Sequence, residues 1–297
     1  MDSLSNKVLI TGSNGFTGEY LKKHLETNGY IVFGLSNTIS NPSNNIIQCD
    51  INNSDALKEA LLEIQPNYVF HLAAISFVQH QDATEIYNVN VIGTQNLLES
   101  CLPIKNQIKK IILASSATVY GNQTATVLDE SLVPCPINHY GISKLAMELM
   151  AKTYFNALPI LITRPFNYTA PGHGEQFVVP KIAKTFINKE PILELGNIEV
   201  YREYNSIAYV VDIYFQLMKS SVRSEIVNIA SGKTHSLKEI IATFSNKTGH
   251  NPSLQINPKF VRKDEIVTLS GSTKKLALMI SLPPIATIDE VVGQFLN

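Results

Sequence analysis

The segment Thr-Gly-Ser-Asn-Gly-Phe-Thr-Gly at residues 11–18 lies between the apolar run at 8–10 and an amphipathic stretch. This succession predicts a strand, a tight turn and the start of a helix. A helix N-terminus exposes backbone N–H groups and carries partial positive charge, so it favours a phosphate. Gly12, Gly15 and Gly18 allow the backbone to turn tightly and to approach a pyrophosphate closely.

Apolar runs and helical patterns alternate through the first half of the chain. Strands are predicted at 7–11, 30–35, 46–48, 68–72, 110–114 and 160–163, and helices at 15–28, 54–64, 82–100 and 140–156. The alternation predicts an α/β protein with a Rossmann-type, doubly wound parallel sheet. After residue 166, helices at 177–188, 210–220 and 237–248 and short strands at 192–195, 199–204 and 226–229 predict a smaller mixed α/β lobe over the carboxyl ends of the sheet, where ligands bind.

Composition and charge exclude several classes of function. The 297 residues are 44% hydrophobic with a net charge of −1, which is typical of a globular protein without the basic field that nucleic acid attracts. The longest apolar runs are too short for a membrane helix, and the N-terminus has no signal-peptide pattern. Three widely spaced cysteines, Cys49, Cys101 and Cys135, fit reduced thiols in the cytoplasm and lack metal-ligand spacing. We therefore expect a cytoplasmic protein with no metal, membrane or nucleic-acid partner.

Tyr140 and Lys144 are four residues apart in a predicted helix and therefore share one face of it. A phenol with an ordinary pKa of about 10 transfers protons poorly near neutrality, and a nearby ammonium lowers that pKa. The pair thus predicts proton transfer in an alcohol–ketone interconversion. Ser116 follows the fifth predicted strand, where its hydroxyl can bond the same substrate oxygen. We predict that Ser116, Tyr140 and Lys144 are catalytic.

Further motifs follow other predicted strands: Asp-Ile at 50–51, His-Leu-Ala-Ala at 71–74 and Arg-Pro-Phe-Asn at 164–167, with Asn90 in a helix. With the glycine-rich turn and the Tyr-Lys pair, they make the chain resemble extended short-chain dehydrogenases/reductases of the nucleotide-sugar epimerase/dehydratase type. The resemblance covers essentially the whole chain. It implies that Asp50 and Ile51 flank the adenine, Leu72 and Ala73 line the diphosphate, and Lys144 holds the nicotinamide ribose. The cofactor-binding residues it implies are Gly12, Asn14, Gly15, Phe16, Thr17, Gly18, Ser36, Asn37, Asp50, Ile51, Leu72, Ala73, Ala74, Asn90, Tyr140, Lys144 and Pro165.

Segments at 172–182, 195–197, 202–204 and 261–266 resemble the nucleotide-binding parts of GDP-mannose 4,6-dehydratases and their partner reductases. By this resemblance, residues 1–166 with roughly 207–230 form a dinucleotide-binding domain, and 167–206 with 231–297 form a nucleotide-sugar-binding lobe. Guanidinium forks of Arg202 and Arg262 could clamp a pyrophosphate, although exposed cations are also ordinary surface residues. The substrate-binding residues implied are Ser76, Ser116, Ala117, Thr118, Asn167, Val179, Lys181, Arg202, Arg262 and Glu265.

Positions 117 and 118 decide between reactions. Dehydratases of this group carry acids there, because a base must remove a proton beside the new ketone, whereas this chain has Ala117 and Thr118. A 4,6-dehydratase is therefore disfavoured, and two alternatives stay open. The Phe-Val-Val-Pro and Leu-Gly-Asn segments resemble GDP-4-keto-6-deoxymannose reductase, which makes GDP-rhamnose. The segment Ser-Ala-Thr-Val-Tyr-Gly at 116–121 equally resembles UDP-galactose 4-epimerase, which retains NAD.

Cofactor choice and assembly are further expectations. NAD-binding proteins usually place an acid at the end of the second strand, but here the residues are Ser36, Asn37 and Thr38. Their side chains can donate to a 2′-phosphate, which favours NADP over NAD. The resemblance also implies a homodimer that pairs through helices around 82–100 and 140–156. Leu145, Met147, Leu149 and Met150 supply more apolar surface than one helix face requires.

Overall fold

The computed structural model describes residues 6–38, 45–76, 80, 82–260 and 267–296, with only the backbone of residue 259. Its strands are β1 Lys7–Thr11, β2 Ile31–Ser36, β3 Ile46–Gln48, β4 Tyr68–His71, β5 Lys110–Ala114, β6 Ile160–Pro165, β7 Tyr168–Thr169, β8 Ile192–Leu195, β9 Tyr201–Glu203, β10 Asn205–Ser206, β11 Glu225–Ile229, β12 Thr234–Ser236, β13 Ser253–Ile256 and β14 Thr268–Leu269. Its α-helices are α1 Phe16–Thr27, α2 Ser54–Ile64, α3 Ala83–Tyr87, α4 Gly93–Cys101, α5 His139–Lys152, α6 Val178–Ile187, α7 Ile207–Lys219, α8 Leu237–Thr248, α9 Lys274–Met279 and α10 Ile288–Gly293.

Seven strands form one sheet in the order β11-β6-β5-β4-β1-β2-β3, and every neighbouring pair is parallel. The strand order reverses between β1 and β4, which is where open α/β sheets bind ligands at their carboxyl edge. The predicted Rossmann-type, doubly wound fold is confirmed, and β11 adds a strand beyond β6.

Helices cover both faces of this sheet because its strands are apolar on both sides. Leu9 of β1 packs with α2, α4 and α5 in one buried cluster, whereas Val8 and Ile10 pack with α1 and α7 in another. Burying one such side chain is worth about 1.5–3 kcal/mol, so the alternation along β1 ties both helical layers to one strand. No helix in the described ranges combines the length and apolar character needed to cross a bilayer.

The predicted continuous helix at 82–100 is instead three pieces. α3 and α4 are joined by a π-helical turn over Asn88–Ile92, and the buried residue of that turn is Asn90. The Asn90 amide accepts from the Ile75 N–H at 2.9 Å and donates to the Ile75 carbonyl at 3.1 Å and the Ser143 hydroxyl at 3.0 Å. Such π turns insert one residue and re-aim side chains, often at functional sites.

Beyond β6, the smaller elements form their own core. α6, α8 and α10 enclose a cluster that includes Ile182, Phe186, Phe244 and Val292. β9 pairs with β12 and β14, and β8 pairs with β13. α7 begins at Ile207, three residues earlier than predicted, because Ser206 caps it.

Candidate active site

The carboxyl edge of the sheet opens into a cavity of about 490 Å³. It is walled by the glycine-rich turn, the ends of β5 and β6, the start of α5 and the segment at 168–177. The structure brings together fifteen residues that the sequence placed in the site: Gly12, Gly15, Phe16, Thr17, Gly18, Leu72, Ala74, Ser76, Ser116, Ala117, Thr118, Tyr140, Lys144, Pro165 and Asn167.

Two glycines of the glycine-rich turn pack so closely against neighbouring backbone that they leave no room for a side chain. Gly12 has φ +69°, and a Cβ there would lie 2.8 Å from the Ala73 nitrogen. A Cβ at Gly18 would lie 2.3 Å from the Gly12 carbonyl oxygen. Gly15 is the N-cap of α1 and makes no side-chain capping bond, so the N–H groups of the first helical turn face the cavity edge without such a cap. These features fit a dinucleotide pyrophosphate.

The other residues that the resemblance assigned to the cofactor are not among those that line the cavity. Ser36 Oγ accepts from the Thr38 N–H at 3.3 Å, and the Asn14 amide donates to the Thr38 carbonyl at 3.0 Å. Asn37 and Asp50 each accept a local hydrogen bond, from Gln48 and Asn52 respectively. Ile51 lies against Gly93, and Ala73 lies against Gly12, so closely that neither glycine could carry a side chain. Asn90 holds residue 75 as described above.

The predicted catalytic groups meet at the floor of the cavity. Asn138 caps α5 by accepting from the Gly141 N–H at 2.9 Å, which places Tyr140 in the first turn. Ser116 begins the 3₁₀ turn Ala117–Tyr120, and its hydroxyl is hydrogen-bonded to Tyr140. Lys144 lies one turn further along α5 and donates to the Ala114 carbonyl at 2.7 Å. Spacing of four residues has therefore put phenol and ammonium on one buried face.

Thr118 fixes the direction of the Ser116 hydrogen. Both the backbone N–H and the hydroxyl of Thr118 donate to Ser116 Oγ, at 3.2 and 2.9 Å. A hydroxyl oxygen has two acceptor positions and one hydrogen, so Ser116 is left to donate. Its hydrogen is directed towards Tyr140 and towards any oxygen that binds between them.

The pKa of Tyr140 differs from the expectation. Burial raises it to about 12, the Ser116 hydrogen bond lowers it less, and Tyr168 raises it further. The expected lowering by Lys144 is wrong for this arrangement, because desolvation of the phenolate outweighs any help from the ammonium. Burial also lowers the pKa of Lys144, to about 8, partly opposed by Glu148. The phenol is thus held in its protonated form.

His71 stands beside this group in a neutral hydrogen-bond chain. Thr94 donates to the Asn90 carbonyl, so its oxygen accepts from His71 Nε2 at 2.8 Å, and His71 Nδ1 accepts from the Thr11 hydroxyl at 2.7 Å. Burial, with a smaller contribution from Lys144, lowers the pKa of His71 to about 3. A fully bonded neutral imidazole positions the strand ends and does not exchange protons.

A buried ion pair that sequence analysis missed anchors α5 to β6. Arg164 donates two bonds to Glu148, at 2.9 and 2.7 Å, and Ser115 donates to the same carboxylate at 2.6 Å. The guanidinium also lies 4.8 Å from the centre of the Tyr120 ring. The pair fixes the helix that carries Tyr140 and Lys144.

Three residues expected to bind the nucleotide do not line the cavity: Val179, Lys181 and Arg202. Lys181 Nζ lies 3.9 Å from the centre of the Phe260 ring, and Arg202 donates to the carbonyls of Tyr201 and Val267. Val179 is buried in the core around α6. Arg262 and Glu265 lie outside the described residues.

The cavity is also lined by Gly172, His173, Gly174, Gln176 and Phe177, which belong to the segment predicted to bind the nucleotide. The lining residues that were not predicted as site residues are Ala114, Ser115, Phe166, Tyr168 and Leu269. The Pro-Gly-His-Gly run at 171–174 was a signal for a loop beside the site. Leu269 carries no signal in the sequence.

Residues 9–294 match the family described as GDP-mannose 4,6 dehydratase. The chain belongs to this family. GDP-6-deoxy-D-talose 4-dehydrogenase of Aggregatibacter actinomycetemcomitans is 33% identical to it over 271 residues, covering 91% of this chain and 90% of that protein. GDP-6-deoxy-D-mannose reductase of Pseudomonas aeruginosa is 26% identical over 305 residues, covering 99% and 97%.

Solved structures agree with this family assignment. A crystal structure from Burkholderia cenocepacia J2315 has a TM-score of 0.92 at 35% identity, covering 98% of this chain and 97% of that one. UDP-glucuronic acid 4-epimerase from Bacillus cereus, in complex with UDP-glucuronic acid and NAD, has a TM-score of 0.87 at 25% identity and covers 97% of each chain. The family member described here thus shares its fold with enzymes that act on nucleotide sugars.

Proposed function

We propose that this protein is an NAD(P)-dependent reductase acting on C4 of a GDP-linked 4-keto-6-deoxy sugar. One observation carries the proposal: Ser116, Tyr140 and Lys144 share a cavity with the glycine-rich turn, and none of the described residues lining it is Asp or Glu. A 4,6-dehydratase needs a base beside the ketone. A reductase needs only a hydride source, a proton donor and a group that holds the carbonyl.

The chemistry follows from these groups. A bound reduced dinucleotide supplies the hydride. Ser116 donates its hydrogen bond to the C4 carbonyl oxygen and stabilises the negative charge that develops there. Tyr140, protonated because its pKa is about 12, delivers its proton to that oxygen and completes the alcohol. Lys144 offsets the charge left on the phenolate.

The GDP-linked sugar is inferred from the two curated relatives, which act on GDP-6-deoxyhexoses by name. We place the nucleotide in the lobe formed by 167–206 and 231–297, opposite a dinucleotide domain of 1–166 with 207–230. Asn167, which lines the cavity, would orient the diphosphate, while Lys181 and Arg202 would reach it from the outer side. NADPH is the favoured cofactor, since the end of β2 carries no acid.

The direct test combines the purified protein with NADPH or NADH and GDP-4-keto-6-deoxymannose. We expect loss of absorbance at 340 nm, faster with NADPH, and an NMR spectrum of the product that assigns the configuration at C4. Other 4-keto nucleotide sugars serve as comparisons. No oxidation of either cofactor with any of them would reject the reductase.

A second candidate is a nucleotide-sugar 4-epimerase that retains NAD. The Ser-Ala-Thr-Val-Tyr-Gly segment favours it, as does the likeness to the Bacillus cereus epimerase. Such an enzyme would be purified with about one NAD per chain and would interconvert UDP-sugars without added cofactor. Protein that is purified without dinucleotide and needs added NADPH would exclude this alternative.

We further propose a cytoplasmic homodimer. Ile142 and Leu149 of α5 and Ile92 of the neighbouring helix are 40%, 55% and 47% exposed, whereas Met147 faces the sheet and is fully buried. The three cysteines are unpaired, which suits a reducing compartment. Light scattering at micromolar concentration should give twice the chain mass of 32.9 kDa. Leu149→Glu should give the monomer mass.

A further inference from the structure

The first two turns of α1 are attached to the segment at 168–177. The Thr17 and Tyr168 hydroxyls are 2.8 Å apart, and the Tyr20 hydroxyl donates to the Pro171 carbonyl at 2.8 Å. The same turns of α1 begin at the glycine-rich turn. The segment at 168–177 leads directly into α6, the element that carries Lys181.

A three-ring stack completes the attachment. The His173 ring lies 4.2 Å from the Phe16 ring with an angle of 9° between the planes, and 4.0 Å from the Phe177 ring with an angle of 28°. One imidazole is therefore sandwiched between a phenyl ring of the cofactor side and a phenyl ring that precedes α6. All three residues line the cavity. Burial lowers the pKa of His173 to about 4, so the imidazole is neutral near pH 7 and suits an apolar sandwich.

Glycines flank His173 on both sides. Gly172 has φ +83°, and a Cβ built there would meet no atom within 4 Å. Gly174 follows on the other side, and Gly and its neighbours lose much conformational freedom when ordered. The His173 N–H donates to the Ala170 carbonyl at 3.2 Å and His173 Nδ1 lies 3.4 Å from Thr169 Oγ1. The stack is the contact that ties this residue to α1 and to the N-terminus of α6.

We propose that His173 is a positioning residue that couples the two binding sites through the aromatic stack of Phe16, His173 and Phe177. A dinucleotide that orders the glycine-rich turn and Phe16 also orders the segment at 170–177, so less conformational entropy remains to be lost when the nucleotide sugar binds. Thermodynamic linkage requires that the nucleotide sugar raise the affinity for the dinucleotide by the same factor. The proposal rests on the proposed function only in that a dinucleotide binds at the glycine-rich turn and a sugar nucleotide occupies the adjoining lobe.

The test measures binding and does not depend on turnover. NADPH affinity is measured by fluorescence with and without saturating GDP, and GDP affinity by calorimetry with and without NADPH. In the unsubstituted protein we expect each ligand to tighten the other about tenfold. His173→Ala should reduce both factors to near one, whatever its effect on the affinity for either ligand alone. His173→Phe retains three stacked rings and should retain the coupling.

His250→Ala is the matched control. His250 also packs a ring against a phenylalanine, Phe186, but it lies outside the cavity and its Nε2 bonds the Glu190 carbonyl. It should leave the coupling factor unchanged.

Three results would overturn the proposal: no coupling in the unsubstituted protein, unchanged coupling in His173→Ala, or coupling lost equally in His173→Phe, which would remove stacking as the cause. Failure of the unsubstituted protein to bind NADPH or NADH at all would instead reject the proposed function. If His173→Ala does not fold, His173→Gln serves in its place, with the same loss expected, and retained coupling in that variant would equally overturn the proposal.

Discussion

The catalytic edge of the sheet, which carries the predicted catalytic residues, differs in construction from the outer side, which carries Lys181 and Arg202. At the catalytic edge, Tyr140, Lys144 and Glu148 follow one another along a single buried helix face, and each has a hydrogen-bond partner. On the outer side, Lys181 rests against one half-exposed ring and Arg202 bonds two backbone carbonyls at the surface. The predicted catalytic groups are therefore buried within the protein, whereas the two cations predicted to bind the nucleotide are only partly buried.

The difference teaches which properties each region can control. Buried, fully bonded groups define a reaction because their protonation and direction are set before the substrate arrives. We expect Lys181 and Arg202 to contribute affinity and ligand choice, with a geometry that the ligand completes. Substitutions at the catalytic edge should lower turnover or stability, whereas substitutions on the outer side should raise KM.

Tyr140→Phe should produce the largest effect. Loss of the proton donor should lower kcat about 10²–10⁴-fold, while KM and the circular dichroism spectrum change little. NADPH oxidation with the 4-keto sugar measures it. Turnover within threefold of the unsubstituted enzyme would remove Tyr140 from its role.

Glu148→Gln should be the most destabilising change at the catalytic edge. It leaves the buried Arg164 guanidinium without its counter-charge, so the free energy of unfolding should fall by about 3–5 kcal/mol in urea titrations. Asp289→Asn removes an exposed partner of Lys247 and is the control, with a loss below about 1 kcal/mol. Equal losses in the two variants would contradict the contrast between the regions.

Reduction should slow as the pH rises through about 8. The folded-state pKa of Lys144 lies near 8, below its ordinary 10.5, so the ammonium that offsets phenolate charge is present below this pH and lost above it. The rate should fall about tenfold per pH unit well above 8 if only the ammonium form is active. A kcat profile measures it, and Lys144→Arg, which keeps its charge, should flatten the alkaline limb even if its rate is low.

Lys181→Ala should affect binding alone. Removal of one half-buried cation should raise KM for the GDP-sugar about three- to tenfold, with kcat nearly unchanged. Lys184→Ala, from the same helix but paired with Glu175 at the surface, is the control. A fall in kcat at constant KM would place Lys181 in the chemistry instead.

Thr118→Val should lower turnover far less than Tyr140→Phe. It removes one of two donors to Ser116 while preserving shape, which corresponds to one hydrogen bond, about 0.5–1.5 kcal/mol or roughly threefold to tenfold in kcat. Thr118→Ser should restore the rate. A change confined to KM would identify Thr118 as a substrate ligand and not as a positioning group for Ser116.

The features that were predicted best are those formed by residues close together in the chain. The glycine-rich turn, the shared face of Tyr140 and Lys144, and the strand that delivers Ser116 all follow from residues within a few positions of one another. The sequence could not predict the pairing of Glu148 with Arg164, or of Phe16 with His173, because those partners lie on different elements and meet only through tertiary packing. The pKa of the Tyr140 phenol was predicted to be lowered, whereas burial raises it. The four-residue spacing between Tyr140 and Lys144 carries no information about burial.

The π turn at Asn88–Ile92 limits how this helix can change in length. Deleting one residue there would return the backbone to regular α-helix, because the surplus residue is absorbed within the turn and the flanking helices keep their faces. Asn90 would then lose the direction that brings it to residue 75 and to Ser143, and the segment at residue 75 would lose its tether. The extra residue of the π turn can therefore be substituted, but it cannot be deleted without loss of the Asn90 contacts.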